Sequence, residues 1–296
     1  MSPAPPPTQV ESGGSALDAA TVSALQERLL DWYADNGRDL PWRHTRDPYA
    51  ILVSEIMLQQ TQVSRVIPKY EDFLARFPTL PALAAAPLPE ALRLWLGLGY
   101  NNRAERLWRC ARTAGGRLPA DVAGLQRLPG VGPYTARAVL VFAHNADLAA
   151  VDANVRRVLT HELGLPHDLG RSGLQAIADA VLPRGRARDW HNALMDHGAL
   201  VLTGRVTGLA PVTRQSPFAD SRRMYRARLL RLLVETGPQP HASLPRLLGR
   251  PPVICADIVA ALERHGLVER RDDAVLLRDA PVAGPRGRGT KSQERR

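Results

Sequence analysis

Glu55 is an acidic residue in a segment whose pattern favours burial. In PYAILVSEIMLQQTQV it shares a helix face with Ile51, Leu52 and Leu58, its neighbours at i−4, i−3 and i+3. A carboxyl group on such a face is expected to be partly buried, which disfavours its ionised form and suits it to act as a general acid near neutral pH. The alternative is a structural glutamate that reaches an arginine or solvent.

A second acidic residue, Asp152, follows the apolar segment DLAAV and precedes the helical segment NVRRVLTHEL. Aspartate at such a position commonly caps a helix N-terminus, and capping is compatible with catalysis. Because helix-terminal N–H groups favour an ionised carboxylate, Asp152 is suited to stabilising a cationic sugar as a base departs. The two residues together predict one protonated and one ionised carboxyl group.

A glycine-rich connection, LPGVG, joins two helical segments. Its glycines permit backbone conformations closed to other residues, and Pro133 suits the first turn of the second helix. Free N–H groups in such a turn, with the positive end of the helix dipole, attract an anion such as a DNA phosphate. An ordinary tight turn is the alternative. The candidate DNA-binding residues here are Leu128, Gly130, Val131 and Gly132.

The elements that would position these residues are almost all helical. Apolar residues recur three or four positions apart through most of the chain, and strand-like alternation is nearly absent before the C-terminal part. We expect an all-α domain over residues 19–213, then a winged helix of three helices and a hairpin over residues 216–280. The polar segments 1–18 and 281–296, the second of them basic, are predicted to be disordered tails.

The composition favours an intracellular protein with a polyanionic partner. The 39 basic and 29 acidic residues give a formal charge of +10, although a merely basic protein is equally compatible with that charge. The two cysteines, Cys110 and Cys255, have no spacing typical of a disulfide framework or a zinc site. The N-terminus does not resemble a secretory signal, and no run of about 18 apolar residues occurs. We therefore expect a cytoplasmic, nucleoid-associated protein of bacterial type.

Five segments of the chain resemble the MutY adenine DNA glycosylases of the helix-hairpin-helix superfamily. They are LPWRHTRDPYAILVSEIMLQQTQVSRVIP, LWLGLGYNNRAERL, LPGVGPYTARAVL, VDANVRRVL and WHNALMDHGALV, and the match covers roughly residues 25 to 205. The resemblance implies a two-lobed helix-hairpin-helix glycosylase fold that flips an adenine out of double-stranded DNA into its cleft. The implied reaction hydrolyses the N-glycosidic bond of adenine mispaired with 8-oxoguanine or guanine.

The resemblance also assigns catalytic roles. Glu55 matches the acid that protonates adenine, and Asp152 matches the carboxylate that stabilises the oxocarbenium-like intermediate. Asn154 would help to hold the water near that intermediate. Tyr134 falls where the related endonuclease III enzymes carry a lysine that forms a Schiff base, so lyase activity should be absent or weak.

Other matched residues would contact the DNA. Gln59, Gln60 and Thr61 match the loop that enters the duplex beside the flipped nucleotide and contacts the opposite base. Trp42 and Arg43 match residues lining the adenine pocket. Without the resemblance, a core tryptophan at Trp42 and a solvated helix end at Gln59 and Gln60 would be the favoured interpretations.

After residue 200 the chain departs from the MutY pattern in two places. The segment LTGRVTGLAPVTRQSPF has no cysteine where most relatives carry an iron–sulfur loop, so we expect no iron–sulfur cluster and no other metal. Basic residues are expected to replace that loop as DNA contacts. These are Arg205, Arg214, Arg222, Arg223, Arg226 and Arg228. The segment 216–280 is too short and too helical to resemble the domain that reads 8-oxoguanine in many relatives.

Ala153 stands where the adenine-specific enzymes commonly have glycine, and the VDAN motif also occurs in thymine and uracil mismatch glycosylases. A thymine or uracil mismatch glycosylase on the same scaffold is therefore one alternative. A noncatalytic DNA-binding protein that uses the winged helix is another. A monomer is the default expectation for each.

Overall fold

The computed structural model describes residues 18–209 and 220–278. The predicted tails therefore lie outside the described residues, except for Asp18, and so do Arg214 and the predicted domain boundary at 213–216. None of the helices in the described ranges has the length and apolar character needed to cross a bilayer.

The part of the chain before the LPGVG connection is helical, as expected. Its helices are α1 (Ala19–Asn36), α2 (Pro48–Leu58), α3 (Val63–Arg76), α4 (Leu80–Ala85), α5 (Leu88–Trp95), α6 (Asn102–Thr113) and α7 (Val122–Gln126). The helical periodicity runs without interruption from residue 48 to residue 77, but the structure breaks it between α2 and α3. Gln60 has a φ of 56°, a left-handed conformation that an α-helix does not contain. Residues 59–62 are therefore a loop.

Between LPGVG and residue 209 the structure has five further helices. They are α8 (Pro133–His144), α9 (Ala153–Glu162), α10 (Arg171–Ala180), α11 (Ala187–Leu200) and the short α12 (Gly204–Thr207). As predicted, Pro133 is the first residue of α8 and Asp152 is the N-cap of α9.

The apolar side chains form two clusters, which divide the helical part into two lobes. The first lobe is built on helices α2 to α8 and contains Trp95 and Trp108. The second lobe joins α1 to helices α9, α10 and α11 around Trp190. Helix α8 belongs to both, because its Leu140 lies in the first cluster and its Val141 in the second. The chain therefore crosses between the lobes through α8.

Helix α2 is the most deeply enclosed part of the first lobe. All residues from Tyr49 to Met57 are buried, so this helix has no exposed face rather than the single apolar face expected. Its N-terminus is fixed by Asp47, whose Oδ1 accepts a hydrogen bond of 3.0 Å from the Tyr49 N–H. The enclosure of α2 by its neighbours places the Glu55 side chain in a largely apolar environment.

The C-terminal segment contains three helices and a small antiparallel sheet. Its elements are α13 (Arg222–Thr236), β1 (Gln239–Pro240), α14 (Leu244–Leu248), α15 (Pro252–Arg264), β2 (Val268–Arg271) and β3 (Ala274–Leu277). The hairpin β2–β3 was expected, whereas β1 adds a third strand in the order β1–β3–β2. The core of this segment is continuous with the first lobe, and α13 packs against α5.

Candidate active site

A cavity of about 460 Å³ opens between the two lobes. We refer to it as the central cavity. It brings together nine of the residues predicted to form the site, which come from the first lobe, from α8 and from the start of α9. They are Trp42, Arg43, Glu55, Gln59, Gln60, Thr61, Tyr134, Asp152 and Asn154.

Glu55 lines this cavity and is only 7% exposed. Burial raises the pKa of its carboxyl group to about 7. A hydrogen bond with Tyr134 acts against this rise, while the charge of Asp152 adds to it. Glu55 is therefore half protonated near neutral pH, as the sequence predicted for a general acid.

Tyr134 lies in the first turn of α8, where it brings a hydroxyl group to Glu55. Burial, followed by the charges of Glu55 and Asp152, raises the pKa of this hydroxyl well above its ordinary value. Tyr134 is thus a neutral hydrogen-bond donor to the Glu55 carboxylate. It connects the acid on α2 to the helix that begins at the glycine-rich turn.

Asp152 reaches the cavity from the opposite lobe. Its Oδ1 accepts hydrogen bonds from the N–H groups of Asn154 at 2.8 Å and Val155 at 2.7 Å, and its Oδ2 accepts one from Asn154 Nδ2 at 3.0 Å. Burial nevertheless raises the pKa of Asp152, and these hydrogen bonds and Arg157 only oppose the rise. The cap therefore favours ionisation as predicted, but it does not outweigh burial.

His191 holds the segment that delivers Asp152, a role that the sequence did not suggest. This residue is 1% exposed, and its Nε2 accepts a hydrogen bond of 2.8 Å from the Ala150 N–H. Its Nδ1 lies 2.6 Å from the Ala187 carbonyl oxygen, which accepts the ring proton. Both contacts are satisfied only by the neutral ring with its proton on Nδ1, and burial lowers the pKa of His191.

Asn154 is fixed by its neighbours on both sides. Its Nδ2 donates to Asp152, and its Oδ1 accepts a hydrogen bond of 3.1 Å from Arg157. Helix α11 approaches it so closely that a Cβ atom on Gly198 would lie 2.8 Å from the Asn154 Cβ. The glycine in MDHGALV is therefore required for the packing of α11 against the start of α9.

Trp42 and Arg43 form one wall of the cavity, as expected. The Trp42 ring packs edge-on against Tyr70, with 5.5 Å between ring centroids. Arg43 donates hydrogen bonds from Nη1 and Nη2 to the two carboxylate oxygens of Asp196, each at 2.7 Å. Asp196 is fully buried and also accepts from Arg38. Burial works to raise the pKa of Asp196, but the hydrogen bonds from Arg43 and Arg38 together hold it below its ordinary value.

Arg103 fixes the loop of Gln59, Gln60 and Thr61. Its Nη1 donates to the Gln59 carbonyl at 2.6 Å, and its Nη2 donates to Thr61 Oγ1 at 3.1 Å. The same guanidinium binds the carbonyls of Ile56 and Met57 and those of Leu98 and Gly99. Burial lowers the pKa of Arg103 to about 10, so it keeps its charge at neutral pH. It therefore joins the loop to residues 98–99, a link that the sequence did not reveal.

The glycine-rich turn lies outside the central cavity, and the structure corrects part of its interpretation. Gly130 has a φ of 82°, a left-handed conformation that favours glycine, as predicted. Gly132 has a φ of −89°, which any residue can adopt. The side chains of Leu128 and Val131 are buried, and the Val131 N–H donates to the Leu128 carbonyl. Because these two side chains are buried, contact of this turn with DNA is left to its backbone, where the Val131 N–H is already engaged.

The chain is similar in sequence to known proteins. The family model described as "HhH-GPD superfamily base excision DNA repair protein" matches residues 53–179. The adenine DNA glycosylase of Mycolicibacterium smegmatis is 38% identical over 278 residues, which cover 85% of this chain and 95% of that protein. The human adenine DNA glycosylase is 41% identical over 203 residues, which cover 63% of this chain and 37% of the human protein.

A solved structure is also similar. A thermostable thymine-DNA glycosylase superposes with a TM-score of 0.58 at 33% identity, covering 63% of this chain and 89% of the other. The matched family region, residues 53–179, contains Glu55, Tyr134 and Asp152.

Proposed function

Because this chain belongs to the MutY-type members of the HhH-GPD superfamily of base excision DNA repair proteins and is a DNA glycosylase, we propose that it removes adenine mispaired with 8-oxoguanine or guanine. The observation that carries the proposal is the pair of carboxyl groups that line one cavity from two lobes. Glu55 has a pKa of about 7, and Asp152 is capped by backbone N–H groups. The substrate enters this cavity as a nucleotide flipped out of the duplex.

In the proposed reaction, Glu55 donates its proton to N7 of the flipped adenine. The bond between N9 and C1′ of the deoxyribose then breaks, and its electron pair leaves with the neutral base. The Asp152 carboxylate stabilises the oxocarbenium-like sugar that forms. A water molecule near Asn154 adds its oxygen to C1′ and returns a proton to Glu55, which leaves adenine and an abasic site.

Tyr134 makes the proposed enzyme monofunctional. Strand cleavage through a Schiff base requires an amine at the sugar, and Tyr134 offers a neutral hydroxyl with a strongly raised pKa. Its proposed part is to orient the Glu55 carboxyl group by hydrogen bonding. Abasic sites should therefore accumulate until alkali cleaves them.

The test is base release from duplexes that carry adenine opposite 8-oxoguanine, adenine opposite guanine, thymine opposite guanine or uracil opposite guanine. We expect adenine release from the first two duplexes, with strand cleavage only after alkali. The Glu55→Gln variant should bind these duplexes but release almost no adenine. Glu105→Gln is the matched control, because Glu105 is also a buried glutamate with a raised pKa but does not line the central cavity. Equal loss of activity in both variants would contradict the assignment of Glu55 as the acid.

Thymine or uracil opposite guanine is the second candidate substrate. It is favoured by Ala153 and by the similarity to the thymine-DNA glycosylase structure. Pyrimidines have no N7, so this reaction does not use the proton that Glu55 would deliver. Release from only the pyrimidine duplexes, with substantial activity left in Glu55→Gln, would establish this alternative. The noncatalytic alternative is set aside, because the chain is a DNA glycosylase.

We further propose that the catalytic domain extends over residues 19–213 and that the segment 216–280 is a winged-helix domain. The order α13, β1, α14, α15, β2, β3 and the antiparallel sheet β1–β3–β2 support the second assignment. We propose that the enzyme works as a cytoplasmic, nucleoid-associated monomer. We also propose that it has no iron–sulfur cluster, because residues 202–218 contain no cysteine.

A further inference from the structure

A second cavity lies where α13 meets the loop before α6. It has a volume of about 370 Å³, and we refer to it as the C-terminal cleft. Residues 96–101 form one wall, and Arg223, Ala227 and Arg231 of α13 form another. Gln60 lines both this cleft and the central cavity. The two cavities are therefore neighbours, separated by the loop that contains Gln60.

The cleft is strongly basic. Of the described residues that line it, three are arginines and none is acidic. Within residues 18–209 and 220–278, no carboxylate forms an ion pair with Arg65 or Arg231. Such a concentration of guanidinium groups attracts an anion with several acceptor oxygens.

The geometry of the cleft is held by contacts between its two walls. Arg223 donates a hydrogen bond of 2.7 Å from Nη1 to the Tyr100 hydroxyl, and its guanidinium lies 5.4 Å from the centroid of the Tyr100 ring. Arg65 donates to the Gly97 carbonyl. The positions 223, 227 and 231 share one face of α13, and the small Ala227 between the two arginines leaves room for a ligand.

The remaining arginines of α13 point elsewhere. Arg222 forms an ion pair with Asp257 at 3.5 Å, and Arg226 lines a groove that contains the same carboxylate. Arg228 donates to the Leu248 carbonyl at 3.4 Å. The sequence predicted Arg222, Arg223, Arg226 and Arg228 as DNA contacts together with Arg205 and Arg214. Among those that the structure describes, only Arg223 lines the C-terminal cleft, where Arg231 joins it.

We infer that the C-terminal cleft binds a backbone phosphate of the DNA, through Arg65, Arg223 and Arg231. The inference rests on the proposed function, because DNA whose nucleotide occupies the central cavity must pass the Gln60 loop and thus the mouth of the cleft. A phosphodiester supplies the oxygen acceptors that three guanidinium groups require. The C-terminal segment then contributes directly to substrate binding through one face of α13.

The test measures the affinity of the full chain for a duplex carrying a tetrahydrofuran abasic analogue opposite guanine, over a range of KCl concentrations. This duplex cannot release a base, so the result does not depend on the proposed reaction. Arg231→Gln and Arg65→Gln should each weaken binding by roughly tenfold at low salt. Each should also lower the slope of log Kd against log salt by about one unit.

Arg226→Gln is the matched control, since it removes the same charge from α13 at a position that lines a different groove. It should leave both the affinity and the salt slope unchanged, because the groove that Arg226 lines contains the Asp257 carboxylate. Unchanged slopes for both cleft variants would refute the inference, as would a reduced slope for Arg226→Gln alone. Titration with inorganic phosphate supplies a further arm. Saturable phosphate binding that Arg231→Gln abolishes, with an unchanged DNA salt slope, would assign the cleft to a free anion and overturn its role in DNA binding.

Discussion

The protonation state of Glu55 should control the rate of base release. With a pKa of about 7, the protonated fraction falls from about 0.9 at pH 6 to about 0.1 at pH 8, so the single-turnover rate should fall by up to about tenfold over this range. Bound DNA excludes water and adds negative charge, and both effects raise the pKa of a carboxyl group further. The midpoint of the profile should therefore lie at pH 7 or above.

The assay is single-turnover excision of adenine opposite 8-oxoguanine, with enzyme in excess and an alkaline quench, between pH 5.5 and pH 9. Glu105→Gln should give the same profile as the wild type, because Glu105 lies outside the central cavity. A rate that rises between pH 6 and pH 8, or a midpoint near the ordinary glutamate pKa of 4.5, would refute the reasoning that buried Glu55 delivers the proton.

The same pKa shift has a consequence for stability. The folded state holds the Glu55 proton more tightly than the unfolded chain does, so the associated stability is complete below the unfolded pKa of 4.5 and is lost as pH rises through about 7. The shift corresponds to roughly 3 kcal/mol. Glu55→Gln removes the ionisable group and should unfold at a higher urea concentration than the wild type at pH 8, with the difference vanishing near pH 4. If Glu55→Gln were inactive but no more stable than the wild type at pH 8, burial would not destabilise the ionised form of Glu55.

Further predictions concern the residues that support the site. His191→Asn should lower the single-turnover rate at least tenfold without changing DNA affinity, whereas His191→Gln, whose amide oxygen can still accept from the Ala150 N–H, should retain most of the rate. Arg103→Met leaves several buried carbonyl groups without a donor and should lower the free energy of unfolding by roughly 3 kcal/mol, measured by urea denaturation. Gly130→Ala should lower the free energy of unfolding by about 1 to 3 kcal/mol, because the φ of Gly130 is positive. Gly132→Ala should not lower it, because the φ of Gly132 is negative. Equal losses in the two variants would refute the conclusion that only position 130 requires glycine.

Much of the site follows from local sequence because its elements obey local rules. Asp152 caps α9, and Pro133 begins α8, as residue types and spacing predicted. The burial of Glu55 was predictable from its apolar neighbours three and four residues away. Even its protonation near neutral pH follows, since desolvation of a carboxyl group depends more on how completely it is enclosed than on which residue encloses it.

The contacts between distant segments could not be predicted in this way. The hydrogen bond from Ala150 to His191 joins positions 41 residues apart, and the ion pair of Arg43 with Asp196 spans 153. Gly198 looked like any helical glycine until the approach of Asn154 was known. Helical periodicity indicates which face of an element is apolar, but it contains no information about which other element covers that face.

The arginines of α13 show the same division. Their number and sequence positions make the C-terminal segment basic, and they contribute to the net positive charge that favours a polyanionic partner. Only the packing of α13 against α5 and residues 96–101 decided that Arg223 and Arg231 line a cleft beside Gln60, while Arg222 is paired with Asp257. Sequence determines which residues can carry a charge, but whether an arginine meets a carboxylate or solvent depends on the tertiary structure, because opposite charges pair through space.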